Sequence, residues 1–567
     1  MMKPTRVLPL CCAILYMFGA ASAYATSVPS SADPARQLPE TQPKLPDFKK
    51  TEPDNRPQQT SIANAPEGSE TAFFVLKSIH IKGMTAYKTS DIEALYAADL
   101  EQKISVKRLF DIMNAIQKKY LEGGYGLSRV VMPDQDVIAG DVTFEVIEGY
   151  AAEVSLDGDF PKSAVLDDAQ KQIADMRPLN TKKLEKLLLT LNDLSGLNVS
   201  AVLTPLKTQE AAGGVHLILK QNPEKSYAAF LSMNNHGSRY SGPIQLVANA
   251  KKSSVITPYD EISTTLSAAI PMTEMRYAGI KYQKPVWGAH GLNLELEASA
   301  SRTVPGDNLK DLDVKGQSQS FKSGLSYSPI RARSQTLELH TGFELRQSKT
   351  DFLGSELYDD RLRIFSFGAN YNNADSWDGL NAFELTYSQG LNILGVREAG
   401  SPNLSRSEGR PDFHKFYISA GRLQALPYQF EFLTALQGQY AFDPLLSSEE
   451  FGFGGGQFGR GYDPSEIAGD KGVSASFELR RNLFIGNPNF AYQGYGFFDI
   501  GKIWNIDPSA SDKISAASTG VGLRIGTSYG WSGDINLAVP LTKKPDNAPK
   551  YTNGQSPRIL FSVQKAF

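Results

Sequence analysis

Short segments in which apolar and polar residues alternate follow one another from Ser226 to the C-terminus. In the segment 336–346, for example, positions 337, 339, 343 and 345 are apolar, whereas 338, 340 and 344 are polar. Because successive side chains of a strand point to opposite faces, each segment predicts a strand with one apolar and one polar face. There are sixteen such segments, at 227–234, 244–250, 262–270, 276–282, 292–300, 320–327, 336–346, 361–371, 382–388, 414–422, 430–440, 473–481, 491–503, 519–527, 534–539 and 558–567. An even number of antiparallel strands of this kind is typical of a closed transmembrane barrel, in which closure pairs every backbone group.

The connections between these segments favour the same fold. Apart from a short first connection and a long second one, long connections follow odd-numbered segments and short ones follow even-numbered segments. The long ones include 303–319, 347–360, 389–413, 441–472 and 541–557, and the short ones include 329–334, 424–429 and 486–490. Since outer-membrane barrels combine long surface loops with short periplasmic turns, 441–472 is predicted to be the sixth surface loop of a barrel domain that covers 223–567.

The sixth predicted loop has an unusual composition. Six of the twelve residues from Phe451 to Tyr462 are glycine, which lets the backbone take positive φ angles and approach other backbone closely. Period-two counting places five residues of a following strand on one face, namely Gln493, Tyr495, Phe497, Asp499 and Gly501. Arg460 of the loop and Asp499 of the strand could form an ion pair; alternatively, the two charges are separately solvated.

Two copies of a smaller α+β unit precede the predicted barrel. In each copy one strand is followed by two helices and two further strands, so the order β-α-α-β-β occurs twice, over 72–149 and 150–222. In the first copy, apolar residues recur at helical spacing from Leu109 to Tyr120, which predicts a helix that ends at Gly123. The repeat predicts two similar domains in tandem.

The N-terminal residues 1–25 are predicted to be a secretory signal peptide, because Lys3 and Arg6 precede an apolar stretch and a small-residue cleavage site. Both cysteines of the chain lie in this segment, so the mature chain is predicted to contain neither a disulfide nor a thiolate metal site. Residues 26–71 contain eight prolines and many polar residues, which predicts an extended periplasmic linker.

The sequence has no signature of catalysis or of nucleic-acid binding. Removal of Lys3 and Arg6 leaves 56 of the 58 basic residues against 61 acidic ones, and this balance gives no reason to expect a nucleic-acid partner. The six histidines are scattered, and neither a nucleotide-binding glycine loop nor a Gly-x-Ser-x-Gly motif occurs. We therefore expect no enzyme activity, no metal site and no cofactor.

Several spaced blocks together resemble the outer-membrane transporters of two-partner secretion, the TpsB family of haemolysin and adhesin secretion proteins. These proteins combine polypeptide-transport-associated (POTRA) domains with a barrel. The blocks in the α+β units contain Gly124, Tyr125, Pro133, Gln135, Glu148, Gly149, Asn192, Asp193 and Gly196. The blocks in the barrel contain Arg460, Gly461, Tyr462, Phe497, Asp499 and Gly501. Apolar residues within the blocks would alone indicate only a packed core, so the resemblance rests on the joint match.

The resemblance implies a fold and a location. The chain would be a membrane all-β protein with a 16-stranded antiparallel transmembrane barrel, preceded by two α+β POTRA domains at 72–149 and 150–222. It would lie in the outer membrane of a Gram-negative bacterium, in contact with its lipid, with the POTRA domains in the periplasm. The outer-membrane assembly machinery would recognise its last strand, which ends at Phe567.

The resemblance also implies a function. The protein would translocate a single large unfolded exoprotein partner without ATP (two-partner, type V secretion), and its POTRA domains would recognise an extended N-terminal secretion domain of that partner. The sixth loop would fold back into the barrel, so that Arg460 pairs with Asp499. Two other functions stay open: an assembly factor for other barrels, which usually has three or more POTRA domains, and a passive porin-like channel.

Two features depart from the family pattern. Members often carry an N-terminal helix that plugs the barrel, whereas here the prolines leave only 32–38 as a candidate. The family's loop motif usually begins with an aliphatic residue before the arginine, whereas this chain has Gly459.

Overall fold

The computed structural model describes residues 29–36, 63–206, 212–483, 486–506, 513–542 and 557–567. The predicted signal peptide and both cysteines lie outside these residues. Within them, no helix is both long enough and apolar enough to cross a bilayer.

The first α+β unit contains, in order, β1 Phe73–Val75, β2 Ser78–Lys82, α1 Thr89–Glu93, β3 Lys103–Ser105, α2 Val106–Glu122, β4 Arg129–Val131 and β5 Asp141–Ile147. β5 is the central strand of a three-stranded sheet, parallel to β2 and antiparallel to β4, while β1 pairs with β3. The hydroxyl of Ser105 caps α2 by accepting a hydrogen bond from Arg108 N–H. Leu109, Ile112 and Ile116 of this helix are completely buried and form the core with the sheet.

The second unit contains β6 Tyr150–Asp157, α3 Ala164–Asp175, α4 Thr181–Asn192, β7 Val199–Pro205 and β8 Gly214–Gln221. Its sheet repeats the arrangement of the first unit, because the central β8 is parallel to β6 and antiparallel to β7. Each sheet therefore has two edge strands, β2 and β4 in the first unit and β6 and β7 in the second.

Sixteen strands form a closed barrel, as the alternating segments predicted. They are β9 Tyr227–Asn234, β10 Ile244–Ser253, β11 Glu261–Ile270, β12 Met275–Pro285, β13 Leu292–Thr303, β14 Lys315–Arg331, β15 Gln335–Phe352, β16 Ser355–Ala374, β17 Gly379–Gly390, β18 His414–Ala425, β19 Phe430–Ala441, β22 Lys471–Leu483, β23 Phe490–Trp504, β24 Lys513–Thr527, β25 Trp531–Pro540 and β26 Arg558–Ala566. Two further strands, β20 Phe451–Phe453 and β21 Ile467–Gly469, pair with each other inside the sixth loop.

The barrel closes between β26 and β9 through a short run of pairs from Ser562–Asn234 to Ala566–Phe230. The side chain of Asn235 extends this seam, because its Oδ1 accepts a hydrogen bond from Phe561 N–H at 2.7 Å and its Nδ2 donates to Ile559 O at 2.8 Å. The N–H of Phe567 donates to Ala229 O at 2.9 Å, so the last residue also belongs to the seam.

The outer wall of the barrel is apolar and the inner wall is polar. Large apolar side chains such as Ile418, Val521 and Leu385 point outward and are at least half exposed, which suits contact with lipid. On β23 the register alternates, so that Phe498 and Ile500 face outward while Asp499 is completely buried inside.

Residues 30–36 lie inside the barrel and not in an extended linker. They form two short 3₁₀ turns, Ser30–Ala32 and Pro34–Arg36. Barrel hydroxyls hold them, since Ser238 Oγ donates to Ser31 O at 2.9 Å and Ser301 Oγ donates to Pro34 O at 2.6 Å. The prediction of an extended linker over 26–71 therefore does not hold for this segment, because barrel hydroxyls bind two of its carbonyl oxygens and its own 3₁₀ turns pair several N–H groups.

Candidate functional site in the barrel lumen

The sixth loop folds back between the walls of the barrel. Phe451, Phe453, Phe458 and Tyr462 are almost completely buried and pack against wall residues such as Ile503. Gly459 has a φ angle of +82°, and a Cβ there would lie only 2.7 Å from the Phe453 ring. An aliphatic residue at this position would be strained and crowded, which explains why this loop has glycine before Arg460.

The guanidinium of Arg460 contacts Asp499 of β23 in a two-pronged arrangement. Arg460 Nε donates to Asp499 Oδ2 at 3.0 Å and Nη2 donates to Oδ1 at 2.8 Å. The backbone N–H of Arg460 also donates to Asp499 Oδ2, at 3.1 Å. The side chains are 6% and 0% exposed, so the pair is removed from water. A planar guanidinium is suited to this bidentate recognition of a carboxylate.

Glu478 of β22 is a second carboxylate beside Arg460. Its Oε2 accepts a hydrogen bond from Arg460 Nη1 at 2.8 Å, and the same carboxylate contacts Arg480 at 2.5 Å and Arg524 at 2.6 Å. Ser476 Oγ completes the cluster, because it accepts from Arg460 Nη2 at 3.0 Å and donates to Asp499 Oδ1 at 2.7 Å.

The Phe497 ring provides an apolar floor for the arginine, because the guanidinium carbon of Arg460 lies 3.5 Å from its centroid. This distance is within the range of a cation–π contact. Phe497, Asp499 and Gly501 thus face the lumen on one side of β23, as period-two counting predicts.

The glycines of the two motifs allow the loop to approach the wall closely. A Cβ on Gly461 would lie 2.8 Å from Ser518 Cβ and 3.0 Å from Pro540 N, and a Cβ on Gly501 would overlap the Phe453 ring. Tyr462 OH then reaches the wall and donates to Ala517 O at 3.0 Å.

The N-terminal segment and the loop contact each other directly. Arg36 Nε donates to Ser447 O at 2.8 Å, and Arg36 Nη2 donates to Glu450 O at 3.0 Å. Further along the loop, Arg239 forms an ion pair of 2.6 Å with Asp463, which also contacts Arg558 at 2.9 Å.

The POTRA-like motif residues of the first unit lie at its core and at its junction with the second unit. Glu148 accepts hydrogen bonds from Thr85 N–H, Ala86 N–H and Tyr120 OH, each at 2.8 Å. Partial burial raises the pKa of Glu148, but these hydrogen bonds outweigh it and lower that pKa overall. Gln135 pairs with both backbone groups of Thr143 at 2.7 Å, while Pro133 is exposed.

Gly124 and Gly149 join the two units. Gly124 O accepts a hydrogen bond from Thr181 N–H at 2.7 Å, and Gly149 O accepts one from Leu179 N–H at 2.8 Å. Tyr125 packs edge-on against Tyr120 on the side of the first unit.

The motif residues of the second unit face the barrel. Asp193 accepts two hydrogen bonds of 2.7 Å from Arg331, at the periplasmic end of β14. A Cβ on Gly196 would lie 2.8 Å from Ser253 Cβ of β10, so glycine permits this close approach. Asn192 instead stabilises its own unit by bonding to both backbone groups of Val199.

Comparisons with known proteins agree with this architecture. Residues 213–525 match the family model described as haemolysin secretion/activation protein ShlB/FhaC/HecB, and residues 74–149 match the ShlB-type POTRA domain. The chain belongs to the ShlB/FhaC/HecB family of secretion proteins. This is the family of two-partner secretion transporters, so the barrel lies in the outer membrane and the two α+β units lie in the periplasm.

Individual members of the ShlB/FhaC/HecB family are similar over most of the chain. The heme/hemopexin transporter protein HuxB of Haemophilus influenzae is 23% identical over 466 residues, covering 79% of this chain and 80% of HuxB. The outer membrane transporter CdiB of Dickeya dadantii is 22% identical and covers 86% and 88%. The solved structure of CdiB from Escherichia coli superposes with a TM-score of 0.76 at 18% identity, with complete coverage of both chains.

Several residues of the lumen site around Arg460 and Asp499 were not predicted from the sequence. Glu478 and Ser476 share the inward face of an alternating segment, so the period-two pattern could have placed them beside Asp499. No sequence signal indicates that Arg524 meets the same glutamate, or that Arg36 reaches the loop, because these contacts depend on barrel closure.

Proposed function

We propose that this protein secretes a single large exoprotein, which crosses the barrel unfolded and without ATP. The contact of Arg460 with Asp499 carries the proposal, since it holds the sixth loop across the lumen in a state that must rearrange before a chain can pass. Folding of the partner outside the cell would make transport directional.

The periplasmic units are the proposed recognition surface for the partner. Among the described residues each three-stranded sheet ends in strands whose outer edges pair with no other strand, and an extended segment can add there by main-chain hydrogen bonds. The contacts of Gly124 and Gly149 connect the two units, and that of Asp193 connects the second unit to the barrel, so a captured segment would be held close to the periplasmic end of the lumen.

Secretion by cells that carry Arg460→Ala or Asp499→Ala tests the role of the loop. We expect both variants to insert a folded barrel but to lose secretion of the partner. Near-normal secretion in both would contradict the proposal. Arg481→Ala is a matched control, because Arg481 of β22 lies away from the loop and stacks on Phe430.

The nature of the exported material tests the function itself. Deletion of the gene should remove one large protein from the culture supernatant. A general loss of outer-membrane barrels would instead indicate an assembly factor, and altered solute uptake with an unchanged supernatant would indicate a passive channel.

A further inference from the structure

The charges around Arg460 depend on the docked position of the sixth loop. Three arginines and three carboxylates form one connected group of ion pairs in the lumen, namely Arg460, Arg480, Arg524, Asp499, Glu478 and Asp534. Release of the loop removes Arg460 and leaves this group with one excess negative charge. Glu431 lies beside the group and adds another, because its side-chain partners in the described part of the chain are the amides of Asn482 and Gln493.

The excess negative charge falls on Asp499. Glu478 keeps the two other arginines of the group after release, at 2.5 Å and 2.6 Å. Among the described residues, Asp499 forms an ion pair only with Arg460, and its remaining side-chain donors are the hydroxyls of Ser476 at 2.7 Å and Ser518 at 3.5 Å. A carboxylate removed from water is costly without a cation, so the released state is favoured by any cation that takes the place of Arg460.

The arginines of the neighbouring strands are poorly placed to replace Arg460. Arg524 keeps both of its carboxylates and stacks on the ring of Tyr495 at 4.0 Å. Arg558 of β26 loses its contact with the loop, but the pairing registers place it three strands and two residues from Asp499. This separation is about 16 Å between the backbones, at about 4.8 Å per strand and about 3.4 Å per residue.

The wall itself forms a pocket for a guanidinium group. Every side-chain contact of Arg460 described above is made by residues of β22 and β23, namely Asp499, Glu478, Ser476 and Phe497. The loop backbone adds one hydrogen bond, from the N–H of Arg460 to Asp499 Oδ2. A guanidinium that is not attached to the loop can therefore make the same forked contact with the carboxylate, the same hydroxyl contact and the same stacking.

We propose that this pocket binds an arginine side chain of the passing partner once the sixth loop has left, so that the partner replaces Arg460 at Asp499. The inference rests on the proposed export of an unfolded chain, whose side chains are free to enter the pocket. Because the docked pair is buried, the partner's arginine enters only after the loop has moved. It therefore prolongs the released state and does not initiate release.

Chemical rescue of Arg460→Ala shows whether the pocket takes a free guanidinium. In planar bilayers, millimolar guanidinium should fill the space left by the arginine side chain and lengthen the closed periods of this full-length variant about ten-fold. Urea has the same planar shape without the charge and should not do so. The wild-type protein is the control, because Arg460 already fills the pocket. Equal effects of guanidinium and urea, or no effect of guanidinium, would overturn the proposal.

A flexible glycine–serine peptide with one central arginine represents the partner in a second experiment. Added on the periplasmic side of the wild-type protein, it should lengthen each opening without making openings more frequent. The same peptide with citrulline, which has nearly the shape of arginine but no charge, should need an about ten-fold higher concentration for the same effect. Openings that the arginine peptide leaves unchanged would indicate that another cation of the protein, such as Arg239, meets Asp499, and would overturn the proposal.

Asp499→Asn keeps the shape of the pocket but removes its charge, so the arginine and citrulline peptides should act alike on this variant. Glu431→Gln is the matched control, because Glu431 is a carboxylate of the inner wall that does not contact Arg460, and it should preserve the preference for arginine. The opposite pattern would show a response to lumen charge in general and would overturn the proposal. Heat-resistant migration in a gel checks the folding of each variant. Failure of the gene-deletion experiment would leave these bilayer results intact, so the two proposals fail separately.

Discussion

Two arginine–aspartate pairs connect parts of this molecule, and they differ mainly in burial. Arg460 and Asp499 join the sixth loop to the inner wall, while Arg331 and Asp193 join the barrel to the second periplasmic unit. The shortest contacts are alike, at 2.8 Å and 2.7 Å. The side chains of the first pair are 6% and 0% exposed, whereas those of the second are 21% and 47% exposed.

The difference in burial sets the cost of breaking each pair. Loss of one partner of a buried pair leaves an uncompensated charge and costs about 3–5 kcal/mol, whereas an exposed pair contributes about 0–1 kcal/mol. The pair in the lumen is therefore suited to keep the sixth loop docked on the inner wall until another interaction replaces it. The periplasmic contact orients the second unit, and because it is exposed to solvent it is easily broken.

The largest expected effect comes from Arg460→Ala, which leaves Asp499 buried without its cation, whereas Glu478 keeps Arg480 and Arg524. The docked loop should lose about 3–5 kcal/mol relative to the released loop. In planar bilayers the variant should show frequent openings of high conductance, while the wild-type protein stays mostly closed.

Arg460→Lys separates charge from geometry in the same assay. Lysine keeps the positive charge but lacks the planar fork, so it should produce an intermediate frequency of opening. Identical behaviour of the alanine and wild-type proteins would show that the pair does not hold the loop.

Gly501→Leu should have a smaller effect of the same kind, because its side chain would meet the ring of Phe453 while every charge of the pair remains. Overpacking of this kind costs about 1–3 kcal/mol. Hydrogen exchange of the loop amides should therefore accelerate. Gly494→Leu on the same strand is the control, since the nearest atom to its Cβ is 3.8 Å away. Equal exchange in the two variants would exclude a steric role for Gly501.

The two arginine–aspartate pairs also differ in how much of each the sequence predicts. Alternation along the strands is a local property, so it places Phe497, Asp499 and Gly501 on the inner face without any knowledge of the fold. The glycine-rich loop is recognisable for the same reason. The partner of Arg460 could be proposed because only one acid occurs on that face of its strand.

The contact between Asp193 and Arg331 could not be predicted, because it depends on how a periplasmic unit docks on a turn far away in the sequence. The segment Pro34–Arg36 was predicted only in part, because 32–38 was the candidate for a helix that plugs the barrel, whereas its prolines are typical of an extended chain and it forms 3₁₀ turns. Its buried position depends on hydroxyl groups of the barrel, such as that of Ser301, and no local pattern reports them.

Arg331→Ala and Asp193→Ala should each change stability by only about 0–1 kcal/mol. We expect the orientation of the second unit to become more variable at high salt, which can be measured as the distance distribution between spin labels on this unit and on the barrel. Arg333→Ala is a matched control, because Arg333 in its contact with Glu185 is 56% exposed, whereas Arg331 is 21% exposed. A loss of barrel folding in either variant would contradict the expectation that this exposed pair contributes little to stability.

Glu148 is a further carboxylate with several hydrogen bonds, and the contribution of its charge to stability can be tested by a change of pH. Its hydrogen bonds with Thr85, Ala86 and Tyr120 lower its pKa below the usual value, so the folded state binds its proton less tightly than the unfolded state. Its stabilising contribution is therefore present above the usual carboxyl pKa of about 4.3 and is lost as the pH falls through the lower, folded pKa.

Glu148→Gln keeps an oxygen acceptor but removes the charge, so it should lower stability at neutral pH by about 1 kcal/mol. The difference from the wild-type protein should shrink as the pH falls below about 4, because the wild-type carboxylate then becomes neutral as well. The urea midpoint of the helical circular dichroism signal measures this, since the described α-helices all lie in the periplasmic units. A difference that stays constant between pH 7 and pH 3 would show that the charge of Glu148 does not stabilise its unit, and that its hydrogen bonds act only through geometry.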